Sequence, residues 1–171
     1  ESFSSDASVG GDMDVATWLS AIATLEQAVV PGPYYAVLHN KQWTQLQASL
    51  RSESNSTIAY APATYEQIQI RGPGYQGRLL GVDVFAVDSV TDDGSQYNGA
   101  MYGLGAIALV EASPRMSMPG SVAATITPAG SPVYAEFSRT ADPGLSKIVG
   151  HAFCQVGLLE DARGCGILSN T

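Results

Sequence analysis

Histidine, serine and aspartate are the side chains with which this sequence could build a hydrolytic site. Its two histidines, His39 and His151, lie far apart, and serines and aspartates are numerous enough that counting alone does not exclude a Ser-His-Asp arrangement. No serine, however, lies in the GxSxG motif that presents the nucleophile of many such enzymes on a sharp turn. His39 ends a predicted strand and His151 lies within an apolar one, so we interpret both as structural residues.

A second candidate for chemistry is the run GPGYQG at residues 72–77, which matches the GxGxxG pattern of dinucleotide-binding loops. Such a loop needs a helix directly after its glycines, because the helix N-terminus meets the pyrophosphate. Here the following residues 78–85, RLLGVDVF, continue as a predicted strand. Pro73 also removes one amide donor from the loop. We therefore interpret the motif as a tight glycine turn.

Two acidic pairs could supply carboxylates to a calcium ion. Asp12 and Asp14 form one pair, and Asp92 and Asp93 form the other. Neither pair continues into the regular series of ligands that a calcium-binding loop requires. We interpret the first pair as a helix cap and the second as a turn. The sequence thus predicts no catalytic residue, no metal ligand and no cofactor site, and we expect that the protein is not an enzyme.

The two cysteines, Cys154 and Cys165, leave two interpretations open. A disulfide between adjacent strands is one of them. Free cysteine is among the most frequently buried residue types, and two cysteines alone do not make a disulfide framework. We therefore predict two buried thiols.

The composition indicates a globular chain that lacks the excess of basic residues with which proteins bind nucleic acid. Eight basic residues stand against sixteen acidic ones, for a net charge of −8, which predicts no basic face. A membrane helix needs about 20 apolar residues. The longest apolar run, residues 99–110, is shorter and contains three glycines, so we expect no contact with a membrane.

Hydrophobic periodicity predicts two helices and a strand in the first part of the chain. Asp12 or Asp14 can cap a helix that ends before residues 31–33, and a buried strand follows at 34–39. The expected apolar stripe of this helix comprises Val15, Trp18, Leu19, Ile22, Leu25 and Val29. Asn40 can cap a second helix whose buried face carries Trp43, Leu46 and Leu50. The sequence then predicts a surface loop at residues 52–64 and a strand at residues 65–70.

Strands dominate the predictions for the remainder. Residues 78–90 predict a central strand, residues 91–98 a turn, and residues 100–111 a second long strand in which Gly103 and Gly105 argue against a helix. After a boundary at 112–120, residues 121–127 and 133–139 predict a hairpin. Residues 145–160 fit a helix or a long strand, of which we predict the strand, and residues 165–169 predict a last strand.

The order of these elements resembles that of the major capsid proteins of tailed double-stranded DNA phages, the Hong Kong 97-like fold that encapsulin shells share. The segments that carry the resemblance are PYYAVLHNKQWTQLQASL (33–50), GYQGRLLGVDVFAVDSV (74–90), NGAMYGLGAIALVE (98–111) and the closing residues 138–169. Each is a pattern of apolar and glycine positions, and their shared order covers about residues 12–170.

This resemblance implies an α+β fold with the domain organisation of such capsids. Residues 1–11 would be a loose lead-in, residues 12–111 an axial domain of helices on a central sheet, and residues 112–171 a return to the strands of the peripheral domain. The family also has an N-terminal arm, an extended loop and a long spine helix, none of which can be placed here. We therefore expect this chain to be the C-terminal part of a larger capsid protein.

The expected function is that of a structural subunit of an icosahedral phage capsid. Copies of the chain would assemble into pentamers and hexamers that enclose double-stranded DNA without sequence-specific binding, with scaffolding, portal and decoration proteins as further candidate partners. The protein would assemble in the host cytoplasm and reside in the virion. Residues 51–64 and 91–98 are the expected contacts between subunits. The alternatives are an encapsulin-like compartment subunit and a small β-rich hydrolase or binding domain.

Overall fold

A computed structural model describes residues 3–8, 11–52, 58–90, 94–111, 124–125, 133–139, 146–152 and 154–170. The chain forms two compact units, Glu1–Ile107 with Leu158–Thr171 and Ala108–Gly157. The elements in chain order are β1 (Asp6–Ser8), α1 (Val15–Gln27), β2 (Tyr34–Leu38), α2 (Asn40–Leu50), β3 (Tyr60–Pro62), α3 (Tyr65–Arg71), β4 (Tyr75–Leu79), β5 (Val82–Ala86), β6 (Gln96–Tyr102), β7 (Ile107–Glu111), β8 (Ala124–Thr125), β9 (Val133–Arg139), β10 (Ser146–Ala152), β11 (Cys154–Leu158) and β12 (Gly164–Asn170).

Helix α1 begins where the sequence predicts. The Asp14 carboxylate accepts a hydrogen bond from the backbone amide of Thr17 at 2.8 Å, which satisfies a donor that the first turn leaves unpaired. Its buried side chains are Val15, Thr17, Trp18, Ala21 and Leu25. Two residues of the predicted apolar stripe, Leu19 and Val29, are exposed instead. Val29 lies beyond the last residue of the helix, Gln27, and the buried face of the helix includes Ala21 in place of Leu19.

Helix α2 is also confirmed, with its cap one residue earlier than expected. His39, rather than Asn40, is the N-cap residue, and Gln42 completes a reciprocal capping box by accepting from the His39 amide at 3.0 Å. Trp43 and Leu46 are buried as predicted, and Leu50 packs at the margin of the same core. Helices α1 and α2 therefore supply one layer of the first unit.

The other layer is a seven-stranded mixed sheet with the strand order β1-β12-β6-β2-β5-β4-β3. Strand β2 lies parallel to β5 and antiparallel to β6, and β12 pairs antiparallel with β6. Side chains alternate across a sheet, and the alternate residues that join α1 and α2 in the core are Ala36, Leu38, Val82, Val84, Ala86, Met101, Cys165 and Ile167. The core therefore lies on one face of the sheet.

The predicted single strand at residues 78–90 is wrong, because the chain reverses within it. Strands β4 and β5 form an antiparallel hairpin in which Leu79 pairs with Val82. The two turn residues, Leu80 and Gly81, have φ of 50° and 84°. Two successive positive φ values are typical of the tight hairpin turn whose twist matches that of the strands.

The predicted strand at residues 65–70 is also wrong, since these residues form helix α3. Thr64 and Gln67 make a reciprocal capping box at its start, and Gly72, with φ of 102°, ends it. The alternation of YEQIQI is compatible with a strand, yet the Thr-x-x-Gln cap and the glycine are helix boundary signals. None of the residues of α3 is buried.

The predicted long strand at residues 100–111 is divided as well. Strand β6 ends at Tyr102, a turn with φ of 82° at Gly105 follows, and β7 begins at Ile107. The prediction of strand rather than helix is confirmed, and Gly105 marks the break.

In the second unit, the predicted hairpin is confirmed by the antiparallel pairing of β8 with β9, in whose backbone register Ala124 is the partner of Phe137. The residues that join these strands lie outside the described part. The prediction of strand for residues 145–160 is confirmed for 146–152 and 154–158, which form two strands: β10 pairs with β9, and β11 pairs with β7.

The last strand, β12, belongs to the sheet of the first unit, whereas the predicted domain boundary grouped it with residues 112–171. The assignment of axial and peripheral domains stays a prediction. Both cysteines are free: Cys165 is buried as expected, and Cys154 is exposed, which contradicts its predicted burial.

Candidate functional site: a buried ion cluster and two contrasting ends of one sheet

The structure gives His39 a capping role in α2. Its Nδ1 accepts a hydrogen bond from the backbone amide of Lys41 at 3.2 Å, and its ring stacks on Tyr97 with centroids 4.0 Å apart. Its Nε2 lies 3.9 Å from the exposed carboxylate of Asp88. These contacts fix the ring at a helix end, as the structural interpretation predicts. His151 lies in β10 of the other unit, and its side chain is outside the described part.

The glycine motif forms a turn followed by a strand, as predicted. Gly72 ends α3, residues 73–74 turn, and β4 begins at Tyr75. The carbonyl of Gly74 accepts from the amide of Ala86 at 2.8 Å, so the motif joins the sheet. No helix N-terminus follows these glycines to meet a phosphate.

The first acidic pair, Asp12 and Asp14, also has local structural partners. The predicted cap, Asp14, has a pKa below its usual value, chiefly because the Thr17 hydroxyl and amide donate to its carboxylate. Asp12 accepts from the Gln45 side chain at 3.1 Å. Asp92 and Asp93 lie outside the described part. In the part of the chain that the structure describes, no three acidic, histidine or cysteine side chains are grouped to hold a metal ion.

A cluster that sequence reasoning missed surrounds the buried carboxylate of Asp83. Arg71 Nη1 lies 2.5 Å from Asp83 Oδ2, Arg78 Nε lies 3.3 Å from Oδ1, and the Tyr75 hydroxyl donates to Oδ1 at 3.1 Å. The Arg71 guanidinium also lies 4.9 Å from the centre of the Tyr75 ring, within cation–π range. The cluster connects the last turn of α3 with β4 and β5.

The electrostatics of this cluster follow from its contacts. The hydrogen bond to Asp83 raises the pKa of Arg71 further, so the guanidinium stays charged. Burial, and then the hydrogen bond to Asp83, raise the pKa of Tyr75, so its hydroxyl remains a donor. Two guanidinium groups and one hydroxyl hold the buried carboxylate in place, and this arrangement positions the last turn of α3. The strand position of Asp83, between buried Val82 and Val84, was the available sequence signal.

One end of the seven-stranded sheet exposes apolar side chains. The register aligns Tyr34 with Val82 and Tyr35 with Tyr102, so the segments just outside these residues lie at the same end. We call this the apolar end; its exposed members are Val29, Pro31, Leu80 and Leu104. Val30, next to two of them, packs close to Gly103, where an added Cβ would lie 2.3 Å from Val30 Cγ1.

The opposite end of the same sheet is polar. Leu38 is aligned with Ala86, and the chain continues from each into exposed polar residues. We call this the polar end; its exposed members are Asn40, Lys41, Asp88 and Ser89. The Asn40 amide donates to the Asp88 carboxylate at 2.6 Å. The two ends therefore differ in chemistry although they terminate the same strands.

Helix α3 forms a further exposed apolar surface. Tyr65 is 76% exposed and Ile70 is 85% exposed. The expected contacts between subunits at residues 51–64 and 91–98 remain predictions. The apolar end was not predicted, because Val29 and Leu80 occur in apolar patterns that are typical of a buried core.

Among the described residues, no helix is both long and apolar enough to cross a membrane.

The comparisons with known proteins rest on structure, since no protein-family model and no curated protein matches this chain. The holo-SrpI encapsulin complex from Synechococcus elongatus PCC 7942 is similar with a TM-score of 0.65 at 10% identity, over 94% of this chain and 51% of that one. A structure of Mycobacterium phage Che8 is similar with a TM-score of 0.54 at 16% identity, over 95% of this chain and 53% of that one.

The chain thus spans about half the length of these neighbours. At such identities the likeness establishes the fold alone. It agrees with the mixed sheet, the two packed helices and the element order described above. The α+β prediction is confirmed, and this chain has the Hong Kong 97-like fold.

Proposed function

We propose that this chain is the shell-forming part of a major capsid protein of a tailed double-stranded DNA phage. The observation that carries the proposal is the likeness of 94% and 95% of the chain to an encapsulin and to a phage structure, with TM-scores of 0.65 and 0.54. Copies would assemble into pentamers and hexamers in the host cytoplasm and remain in the virion as its capsid.

The surfaces of the first unit support a role in assembly. This unit exposes large apolar side chains on α3 and at the apolar end, and contiguous exposed apolar patches are typical of sites that contact other proteins. Closed symmetric shells are built from repeated contacts between identical surfaces. The Asp83 cluster holds α3 by charged contacts, and no step of such a function requires a nucleophile or a cofactor.

The charge of the chain suits a container for DNA. A net charge of −8 opposes tight binding to phosphates, because binding to DNA depends on cations that displace its counterions. A capsid wall must enclose DNA and also release it. We propose that the DNA is enclosed without sequence-specific contacts, and that scaffolding, portal and decoration proteins are further partners.

An encapsulin-like compartment is the second candidate, favoured by the higher TM-score of the encapsulin neighbour. Such a shell would share the contacts between subunits but differ in content. The content of the assembled particles therefore distinguishes the two candidates.

The test is expression of the full-length gene, followed by negative-stain microscopy and analysis of particle content. We expect uniform isometric shells, or rings of five and six subunits, and nuclease-protected DNA when the other phage components are present. Shells that carry co-purifying protein and no DNA would favour the encapsulin-like function. A stable monomer under all assembly conditions would contradict both. His39→Ala and His151→Ala variants should assemble like the wild type, since neither histidine has a proposed catalytic role.

A further inference from the structure

Two positions at the apolar end of the first unit hold residue types that do not suit the backbone conformation there. Val29 and Leu80 have φ of 54° and 50°, a left-handed conformation in which glycine or asparagine is normally found. Val29 occupies the position after α1 where the Val30 amide bonds back to the Leu25 carbonyl, a helix end usually formed by glycine.

These two unfavourable conformations present apolar side chains to solvent. Val29 is 85% exposed and Leu80 is 38% exposed, so contacts within the chain offset little of the strain at Val29. Strained positions that persist tend to mark functional sites. Together with Pro31 and Leu104 they form an apolar row across the ends of β4, β5, β2 and β6.

Opposite charges flank this row. On the β4 side, Arg71 and Arg78 surround the single carboxylate of Asp83, which leaves one positive charge. On the β12 side, Glu160 pairs with Arg163. Asp161 accepts hydrogen bonds from the amide and the hydroxyl of Ser4, which are neutral groups, so this side carries one negative charge. Arg163 Nη1 donates to the Leu104 carbonyl at 3.1 Å, so this acidic flank adjoins the row.

We propose that the apolar end binds the apolar end of a second copy of this chain about a two-fold axis. A two-fold rotation places the same patch against itself in the reverse direction. The basic flank of one copy then meets the acidic flank of the other on both sides, and the apolar residues meet in the middle. The inference rests on the proposed shell function for its purpose, but the contact is testable independently of shell formation.

The first experiment is disulfide crosslinking in a Cys154→Ser background, in which the remaining cysteine, Cys165, is buried. Val29→Cys lies in the middle of the row, and a two-fold contact brings it within disulfide distance of its own counterpart. Mild oxidation is expected to convert this variant to a covalent dimer. The matched control is Ser89→Cys at the polar end, which should remain monomeric on the same gel.

The second experiment reverses the flanking charges in the Val29→Cys protein. Arg78→Asp and Asp161→Lys, each alone, should reduce the yield of crosslinked dimer, and the two together should restore it, since the complementary pairing is re-formed. Thermal unfolding of the uncrosslinked variants verifies that each is folded.

Three outcomes overturn the inference. One is equal crosslinking of Val29→Cys and Ser89→Cys. Another is loss of dimer on charge reversal with no restoration in the double variant. The third is a monomer in which Val29→Cys is protected from a maleimide reagent, because a different segment or partner then covers the apolar end.

Shell formation by the full-length protein separates this inference from the proposed function. Asp tolerates the left-handed conformation better than Val, so Val29→Asp should fold and should show fewer shells by negative-stain microscopy. If Val29→Asp forms shells as well as the wild type does, the two-fold contact is overturned and the proposed shell function is not. Crosslinking of Val29→Cys in a protein that never forms shells supports the contact and contradicts the shell function.

Discussion

Helices α2 and α3 begin in the same way and end in opposite environments. Each starts with a reciprocal capping box, formed by His39 and Gln42 in α2 and by Thr64 and Gln67 in α3. Helix α2 buries Gln42, Trp43 and Leu46, whereas α3 buries none of its residues. Local capping therefore determines where a helix begins, and it does not determine whether the fold depends on that helix.

The contrast extends to how each helix is held. The Gln42 amide donates to the carbonyls of Tyr97 at 3.0 Å and Ile167 at 3.1 Å, so α2 is joined to two strands of the central sheet. Helix α3 is held at its last turn by Arg71 through Asp83. We infer that α2 belongs to the cooperative core and that α3 is a peripheral element available for contacts with other molecules.

Truncation of one apolar side chain in each helix tests this contrast most strongly. Leu46→Ala removes a fully buried side chain and should lower the free energy of unfolding by about 3 kcal/mol, because it leaves a cavity. Ile70→Ala should change it by less than about 0.5 kcal/mol, as is usual at exposed positions. Urea unfolding followed by circular dichroism measures both. Similar losses for the two variants would contradict the assignment of α3 as peripheral.

The Asp83 cluster predicts an asymmetry between its cations and its anion. Replacing Arg71 and Arg78 together by Ala leaves a buried carboxylate without its cations and should cost about 2 kcal/mol, below the value for a fully buried pair because these arginines are 39% and 51% exposed. Asp83→Asn leaves two guanidinium groups that water reaches and should cost about 1 kcal/mol.

Denaturant unfolding of both variants measures this order directly. Glu66→Ala, on the same short helix, is a suitable control because it lies outside the cluster. A larger loss for Asp83→Asn than for the double arginine variant would show that α3 depends on the aspartate more than on its partners.

Removal of the two caps should separate global from local stability. His39→Ala should lower the global free energy of unfolding by about 1 kcal/mol, because a cap on a packed helix stabilises the whole domain. Thr64→Ala should leave the global value almost unchanged and instead speed amide hydrogen exchange within α3, because this helix can open without the core. Hydrogen exchange of both variants, compared with their unfolding curves, makes the test. A global loss for Thr64→Ala equal to that for His39→Ala would argue that α3 unfolds with the core.

Much of the first unit could be predicted from the sequence. The Asp14 cap and the burial of Trp18, Trp43 and Leu46 follow from the helical spacing of apolar residues, and the structure confirms them. The strand after GPGYQG was predictable too, since no helix start follows those glycines. These features are set by short-range patterns and by one buried face.

The errors arose where a local pattern admits two structures. Residues 65–70 alternate like a strand, whereas the cap at Thr64 indicates a helix. The apolar run that contains Leu80 hid a turn, because leucine rarely takes a positive φ. The Asp83 cluster joins residues from α3, β4 and β5, and its distances depend on a hairpin register that composition does not specify.

The smallest predicted effect concerns charge in the caps of a packed and a peripheral helix. Asp14 caps α1 with a carboxylate whose pKa is lowered in the folded state, chiefly by the Thr17 hydroxyl, whereas Thr64 caps α3 with a group that does not titrate. A lowered pKa stabilises the fold at pH above the unfolded value of about 3.9, and the contribution disappears as the pH falls through the folded pKa.

The stability difference between wild type and Asp14→Asn should therefore be constant near neutral pH, below about 1 kcal/mol, and should shrink as the pH falls below about 4, since Asn keeps a cap that cannot ionise. Thr17→Val should shift that transition toward higher pH, because it removes the first cause of the lowered pKa. Thr64→Ala serves as the reference, since its effect on exchange in α3 should not vary across the same range once intrinsic exchange rates are corrected. A difference between wild type and Asp14→Asn that stays constant down to pH 2 would show that the hydrogen bonds of the cap, and not its charge, stabilise α1.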